Sequence, residues 1–224
     1  MVQSLKMSVL ALLLGASLAA QAVVHVEFDA QKPWTGFMNW WDMPADGGAF
    51  VAQQAWDIAD LDAQFSGSTL TLTPNTSTDR YAPSDPYWWK GDGSSNKIMG
   101  ANLLVIDDSL AGQSTVFSGW VASNTLDGAY GSHVFIRAFN ADYSSMLDSV
   151  EVPLEHGKAF QVAYQSTASD VHIQYGFDTI GPNARFGNSL GSVVITAVPE
   201  PSTWAMMAAG LLGLAALRRT DQRA

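Results

Sequence analysis

Hydrophobic and polar residues alternate in short segments between residues 23 and 198, a pattern typical of half-buried β-strands. Clusters of glycine, proline, asparagine, aspartate and serine separate these segments, as at 74–77 and 91–96. The pattern predicts strands over residues 23–28, 68–73, 102–106, 115–121, 133–139, 147–152, 159–165, 170–177 and 191–197. Short strands at this spacing, without a convincing helical segment, indicate an all-β fold: a single β-sandwich of the jelly-roll type.

Two segments near the start of this region do not follow the alternation. Residues 29–50 are rich in tryptophan, glycine and proline, and this composition predicts a long loop. Residues 49–63 are ambiguous and could begin with a helical turn. The only strand that we predict before residue 68 is therefore the one at 23–28.

The alternation also assigns the two faces of each predicted strand. In segment 170–177, His172 and Gln174 lie on the face opposite the hydrophobic residues, and in segment 133–139 Arg137 does so. If these strands are neighbours, the shared polar face suits a sugar, because planar polar groups bind hydroxyls and aromatic rings stack on the sugar ring.

Aromatic residues concentrate in segments rich in glycine, proline and aspartate, including Trp40, Trp41 and the run 87–89. Tryptophan pairs in loops often serve in binding, because their apolar surface is costly to leave in water. The alternative is that these loops fold over the ends of the sandwich and bury their rings as plugs. We expect one buried and one exposed member in each adjacent pair. The candidate glycan-binding residues are Tyr87, Trp88, Trp89, Trp120, Arg137, His172 and Gln174.

Composition excludes several classes of protein. The chain of 224 residues has 11 Lys and Arg against 21 Asp and Glu, a net charge of −10. Residues 23–198 hold 7 basic and 19 acidic residues, a net charge of −12, so a binder of nucleic acid backbones is excluded. The chain has no cysteine, which excludes disulfides, thiol catalysis and cysteine-ligated metals. A hydrophobic content of 47% excludes a disordered protein.

The sequence offers no convincing catalytic constellation. Glycoside hydrolysis needs two carboxyl groups about 5–10 Å apart in a cleft. Glutamate is scarce in 23–198, where Glu151 and Glu155 flank a proline, and no partner acid can be named for either. Motifs for a serine nucleophile or a phosphate-binding loop are absent from the sequence. We therefore predict a protein that is not an enzyme and has no catalytic residues.

Metal binding is left partly open by the sequence. The four histidines are dispersed and show no zinc-ligand spacing, so a zinc site is not expected. No cofactor is predicted, but a structural Ca²⁺ held by loop carboxylates remains possible. The residues that would offer such ligands are Asp29, Asp42, Asp46 and Asp92 with Gly93.

Residues 1–22 predict a secretory signal peptide. Lys6 supplies the positive n-region, residues 7–20 form a short apolar segment, and residues 20–22 form an A-x-A cleavage site before Val23. The alternative is a buried helix or a membrane anchor, but the apolar segment is shorter than the roughly 20 residues that a membrane span needs. We therefore place the folded domain at 23–198.

The C-terminal segment 199–224 has an apolar run followed by basic residues, which is the reverse of their order in the signal peptide. An uncharged apolar run at 204–217 predicts a helix, and the basic pair that follows it would hold the tail on the cytoplasmic side of a membrane. The alternative is an ordinary helix packed on the domain, but such a helix is normally amphipathic, and this one is apolar on all sides. The run is also short for a permanent span.

The motif in this segment resembles the PEP-CTERM sorting signal of Gram-negative bacteria. The resemblance lies in Val198, Pro199, Glu200 and Pro201, the apolar run, and then Arg218 and Arg219. It implies recognition by an exosortase-type membrane enzyme, cleavage near Pro-Glu-Pro, and transient anchoring in the membrane through the helix. It further implies export across the inner membrane to the cell surface or the extracellular matrix.

Three strand segments of the domain resemble jelly-roll carbohydrate-binding modules of the galactose-binding-like type. They are 116–120, 133–139 and 173–177, with the sequences VFSGW, HVFIRAF and IQYGF. This resemblance implies a non-catalytic glycan binder with a site on a concave face or in loops, and it assigns no ligand residue. We therefore expect an exported β-sandwich associated with extracellular polysaccharide. The alternatives are a structural or adhesive matrix protein without a sugar site, or a polysaccharide-degrading enzyme.

Overall fold

Twelve β-strands account for about half of residues 22–167 and 169–198, the part of the chain that the structure, a computed structural model, describes. The strands are β1 Val23–Glu27, β2 Thr35–Asp42, β3 Phe50–Ala55, β4 Ala63–Ser66, β5 Thr69–Leu72, β6 Lys97–Ile106, β7 Ser114–Asn124, β8 Gly131–Phe139, β9 Met146–Pro153, β10 Ala159–Gln165, β11 His172–Pro182 and β12 Val193–Thr196. One short helix, α1, spans Ser77–Tyr81, and 3-10 turns lie at Pro44–Asp46, Ile58–Leu61 and Asp108–Leu110.

The strands form two sheets of six strands each. The first sheet has the order β1-β7-β12-β5-β4, with β10 paired to the other side of β7. The second has the order β3-β2-β6-β11-β8-β9 and is antiparallel throughout. From β5 onward the chain crosses repeatedly between the sheets, which is how a jelly roll is built. The predicted all-β sandwich is confirmed.

The core lies between the two sheets and is rich in aromatic rings. The ring centroids of Phe117 and Tyr175 are 4.8 Å apart, and Trp34 stacks on Phe177 at 5.7 Å. Tyr175 is fully buried, and this burial, with the charges of nearby aspartates, raises its pKa to about 12. The inward face predicted for segment 170–177 is confirmed from Ile173 onward, since its hydrophobic residues belong to this core.

The region before residue 68 differs from the prediction. Residues 29–50 contain β2, which places Met38 in the core and Trp41 toward the outer face of the second sheet. Buried and less buried residues do alternate at the start of β2, but the glycine and proline around it led to the prediction of a loop. In 49–63 the helical turn follows β3 instead of beginning the segment. Because β3 is an edge strand, exposed along most of its length, its sequence has no buried stripe to reveal it.

Both predicted targeting segments fall largely outside the described residues. This applies to the signal peptide up to residue 21 and to the apolar helix 204–217 with its basic tail. Among the residues that are described, no helix is long and apolar enough to cross a membrane.

Candidate functional site

The outer face of the second sheet carries a groove of about 450 Å³, which we call the sheet-face groove. It is lined by Asn39, Trp41, Gln53, Gly100, Asn102, Arg137, Phe139, Tyr143, Ser144, Met146, Glu151, Asp178 and Ile180. A second hollow of about 300 Å³ shares part of this lining and extends it to Phe37, Leu104, Ile106 and Gln174. Together they form a depression that runs across β2, β6, β11 and β8.

Strand register brings the polar residues of the groove floor together. Gln174 on β11 lies opposite Arg137 on β8, and Asp178 lies opposite Asn102 on β6. Because side chains alternate along each strand, these four residues point away from the core that their neighbours fill. The polar face that the sequence predicts for β8 and β11 is therefore one continuous surface.

Arg137 is the centre of the groove floor. Its Nε and Nη2 atoms donate to Oε1 of Glu151 at 3.2 and 2.8 Å, and Nη1 donates to Oδ1 of Asn102 at 2.8 Å. Nη2 also donates to Oδ2 of Asp178 at 3.4 Å, and the guanidinium carbon lies 3.7 Å from the centroid of the Phe135 ring. All three guanidinium nitrogens thus have partners within the protein, so the arginine forms a rigid, charge-paired floor.

The charges of the floor shift two pKa values in opposite directions. The hydrogen bond from the His133 imidazole to Asp178, 2.9 Å long, is the main cause that raises the pKa of His133. Burial by itself raises the pKa of Glu151, but the hydrogen bond and the charge of Arg137 outweigh it, so that this pKa is lowered. The His133–Asp178 and Arg137–Glu151 ion pairs are therefore both formed when the pH lies above the lowered pKa of Glu151 and below the raised pKa of His133.

The same part of the floor holds three side chains that could ligate a metal ion. In the described part of the chain, the ligand atoms of His133, Glu151 and Asp178 lie within 4.8 Å of one another. Arg137 contacts both carboxylates, so a divalent cation would have to displace its guanidinium. This geometry fits a cation-binding site poorly.

The aspartates that the sequence suggests for Ca²⁺ have other partners in the structure. Asp42 pairs with Lys97 at 3.0 Å, and Asp46 pairs with Lys90 at 3.3 Å. The carboxylates of Asp29 and Asp92 accept hydrogen bonds within their own turns, from Gln31 and Ser94 respectively.

Trp41 forms one wall of the groove. A Cβ atom at Gly100, its neighbour on β6, would lie only 2.9 Å from Cζ3 of the indole, so the ring lies close against the strand because residue 100 is glycine. The indole also packs against Phe50 in a T-shaped arrangement, with ring centroids 5.8 Å apart. The wall is therefore fixed by its neighbours, and the side chain remains partly exposed.

Tyr143 forms the opposite wall and is 42% exposed. Its ring stacks on His172, with centroids 4.0 Å apart and planes 8° from parallel. His172 is itself held at both nitrogens, by Asp108 Oδ2 at 2.9 Å and the carbonyl oxygen of Ala141 at 3.2 Å. His172, which the sequence suggests as a direct ligand, therefore lies behind Tyr143 and supports it.

The predicted site residues do not form one cluster. Arg137 and Gln174 line the groove, but Trp120 lies on β7, in the other sheet. In the loop, Trp89 is only 4% exposed and lies beneath the guanidinium of Arg185 at 3.5 Å. Trp89 is therefore a buried ring, which agrees with the alternative interpretation of the sequence that these loops bury their rings as plugs.

The neighbours of Trp89 in the run 87–89 are packed to different degrees. Trp88 is half-buried and packs edge-on against Trp40 at 5.8 Å. Tyr87 is 43% exposed, and its hydroxyl accepts a hydrogen bond from Nε1 of Trp40 at 2.9 Å. The expectation of one buried and one exposed member in each adjacent tryptophan pair is not met, because Trp88 beside the buried Trp89 is half-buried, and Trp40 and Trp41 are both half-buried.

Sequence reasoning noted Trp41 as a member of a tryptophan pair but did not place it among the candidate site residues. It missed Tyr143 as a wall, and Asn102 and Asp178 as parts of the floor. A signal was available for the floor, because both residues are polar and lie at positions of their strands that point away from the core. Tyr143 lies in the turn between β8 and β9, where no periodicity indicates what it contacts.

Comparisons with known proteins confirm the sorting motif. Residues 197–219 match the PEP-CTERM protein-sorting motif, which indicates export and sorting to the cell envelope or surface. The match contains Pro199, Glu200, Pro201, Arg218 and Arg219, which lie outside the described residues, whereas Val198 is described and exposed.

No curated protein matches the chain. Among solved structures the chain is similar to a carbohydrate-binding module, TmCBM61, in complex with β-1,4-galactotriose. The two share 12% identity over 76% of this chain and 86% of the other, with a TM-score of 0.32, which is a weak likeness.

Proposed function

We propose that this exported protein is a non-catalytic binder of extracellular polysaccharide and that the sheet-face groove is its site. The observation that carries the proposal is the pairing of two fixed aromatic walls, Trp41 and Tyr143, across a floor of hydrogen-bonding groups. Aromatic rings pack against the C–H faces of sugars, and planar polar groups orient the hydroxyls. A volume of about 450 Å³ also lies within the range of small-ligand sites.

The charge distribution favours a neutral polysaccharide. Arg137 is already paired with Glu151 and Asp178, so it has no free charge to offer an acidic sugar. Residues 23–198 carry a net charge of −12, which repels anionic polymers. The remaining polar side chains of the groove include the amides of Asn39, Gln53 and Gln174, and each amide can both donate to and accept from a hydroxyl.

The same floor argues for binding without hydrolysis. A glycosidase needs a general acid whose pKa is raised so that it carries a proton near neutral pH. The pKa of Glu151 is lowered, because Arg137 outweighs the effect of burial, and Asp178 contacts the same guanidinium. Both carboxylates therefore act as partners of Arg137.

The test is binding of the exported protein to immobilised neutral polysaccharides, with Trp41→Ala and Tyr143→Ala as variants. Each substitution removes a wall and should weaken retention by about 1–3 kcal/mol, as for aromatic anchors at hot spots. Trp120→Ala, which removes a half-buried indole from the first sheet, is the matched control and should leave retention unchanged. Unaltered retention by both wall variants would overturn the groove and favour a structural matrix protein.

The sorting motif supports a proposal about processing. We infer that an exosortase-type enzyme of a Gram-negative inner membrane cleaves the chain near Pro199-Glu200-Pro201 after transient anchoring through the apolar helix at 204–217. The intact mass of the exported protein should then lack Arg218 and Arg219. A mass that includes both arginines would contradict cleavage, although not export.

A further inference from the structure

A second cavity of about 450 Å³ lies at the far end of β2 and β3, where the chain turns into the 3-10 turn Ile58–Leu61 and meets α1. We call it the corner cleft. It is lined by Thr35, Gly36, Gln54, Ala55, Trp56, Asp57, Asp60, Ser77 and Tyr81. None of these residues lines the sheet-face groove, to which β3 contributes Gln53. Because Gln53 and Gln54 are consecutive on a strand, they point to opposite sides, so the two cavities open separately.

The two walls of the corner cleft are tied to each other. The main-chain oxygen of Asp60 accepts hydrogen bonds from Nδ2 of Asn75 at 2.7 Å and from Oγ of Ser77. The carboxylate of Asp62 binds the main-chain nitrogen of Thr76 and pairs with Arg80 at 2.8 Å. The segment before α1 and the turn at 58–61 are thus joined at several points, and the cleft is formed before any ligand arrives.

The floor of the cleft also depends on close approach. A Cβ atom at Gly36 would lie 2.5 Å from the main-chain oxygen of Trp56 and 2.5 Å from Cδ1 of Leu61. The main-chain nitrogen of Trp56 donates to the oxygen of Gly36 at 3.0 Å. Glycine at position 36 therefore lets the chain after β3 cross β2 tightly and form the base of the cavity.

The groups that line this cleft remain available for a ligand. Three polar groups that line the cleft have no hydrogen-bond partner within the described residues: the carboxylate of Asp57, the amide of Gln54 and Nε1 of Trp56. The carboxylate of Asp60 accepts one bond, at 3.0 Å from the Tyr81 hydroxyl, which leaves its other oxygen free. The Tyr81 ring is 74% exposed beside them.

We propose that the corner cleft binds a sugar unit of a second polysaccharide chain, so that the protein is bivalent. The ligand class rests on the proposed function of the groove, but the site is independent of it. Two aromatic side chains, Trp56 and Tyr81, supply stacking surface, while free acceptors and donors lie next to them. The sugar that fits is rich in hydroxyl or amine donors and carries no negative charge, because Asp57 and Asp60 form no ion pair within residues 22–167 and 169–198.

Bivalence has a physical consequence for an extracellular protein. Two sites that open on different sides of β3 can hold two polymer chains at once, and a polymer held at one site raises the effective concentration at the other. The protein would then cross-link polysaccharide instead of only coating it.

The test is calorimetric titration of the exported protein with cellohexaose, galactan hexamer and chitosan hexamer, with polygalacturonate hexamer as the anionic comparison. The unchanged protein should show two sites for a neutral or amine-bearing probe and none for the anionic one. Tyr81→Ala should weaken the cleft site at least tenfold and leave the groove site intact, and Asp57→Asn should weaken it several-fold. Phe186→Ala removes a ring of similar exposure, 68%, from the neighbouring loop and is the matched control.

The outcomes separate this inference from the proposed function of the groove. The cleft is not a site if Tyr81→Ala and Asp57→Asn leave both sites intact, or if Tyr143→Ala removes all binding. In either case the inference about the cleft fails and the groove proposal stands. If Tyr81→Ala removes all binding while Tyr143→Ala removes none, the groove proposal fails and the cleft remains. If no probe binds, both are overturned. Unchanged melting temperatures of the variants show that the fold is retained, as expected for the exposed Tyr81.

Discussion

Two aromatic regions of this protein, the loop at 87–89 and the walls of the sheet-face groove, differ in what packs on their rings. In the loop, Trp89 is enclosed and the cation of Arg185 covers its ring. In the groove, Tyr143 packs one ring face on His172 and remains 42% exposed. A ring becomes a plug when protein covers both faces, and it becomes a platform when protein supports one face and leaves the other open.

The cations show the same difference. Lys97 lies 4.7 Å from the centroid of the Tyr87 ring and pairs with Asp42, so it joins the loop to the end of β2. Arg137 also lies on a ring, that of Phe135, but it is at the bottom of an open groove. In the first case the cation closes the end of the sandwich, and in the second it sets the shape of a surface that a ligand can reach.

The largest effect is expected at Trp89. Trp89→Ala should lower the free energy of unfolding by about 3–5 kcal/mol, as truncation of a core aromatic residue does. Tyr87→Phe keeps the ring in the same loop and removes only the acceptor for Trp40, so it should cost about 1 kcal/mol. Urea unfolding measures both values. Equal losses from the two substitutions would contradict the contrast between plug and exposed ring.

Removal of the groove cation should have the next largest effect. Arg137→Gln leaves Glu151 without its charge partner and leaves Asp178 with His133 alone, and because the pair with Asp178 is largely buried, the loss should be about 3 kcal/mol. Lys158→Gln removes a cation from an exposed pair with Glu155 and should change stability by less than about 1 kcal/mol. If the two variants unfold at the same denaturant concentration, Arg137 is not the centre of the floor.

A smaller effect on binding is expected at His172, which supports Tyr143 from behind. His172→Ala should weaken glycan retention by about 0.5–1.5 kcal/mol, the range for one aromatic pair, because the Tyr143 ring loses the partner that orients it. His172→Phe keeps a ring in place and should restore most of the retention. Loss of retention as large in His172→Phe as in His172→Ala would mean that Tyr143 depends on the hydrogen bonds of His172 with Asp108 and Ala141 and not on ring stacking.

The smallest effect is the pH dependence of stability. The pKa of His133 is raised in the folded protein, so its contribution is fully present below the ordinary value of 6.5 and is lost as the pH rises through the raised value. Because the imidazole is 31% exposed, the change should stay below about 1 kcal/mol. The pKa of Glu151 is lowered, so its contribution is lost instead as the pH falls through the lowered value. Unfolding of His133→Gln should lack the first slope and keep the second.

The sequence by itself determined those features that depend on near neighbours in the chain. Alternation identified most strands and the face on which Arg137 and Gln174 lie, because the side-chain period of a strand is local. The sorting motif is contiguous, so it could be read from Val198 to Arg219 and is confirmed by the match at 197–219. Composition predicts that nucleic acid is not a partner, and this prediction needs no structure because net charge is a sum over the residues.

Only the tertiary structure decided which side chains meet. Alternation states the face of a residue but not the strand beside it, so the contacts of Arg137 with Asn102 and Asp178, 35 and 41 positions away, could not be derived. The run 87–89 was ambiguous because a ring is buried by distant residues such as Arg185, and its own neighbours in sequence do not reveal them. Tyr143 lies in a turn and became a wall only because β11 places His172 beneath it. Burial and pairing are properties of the assembled sheets, whereas period and composition belong to the chain.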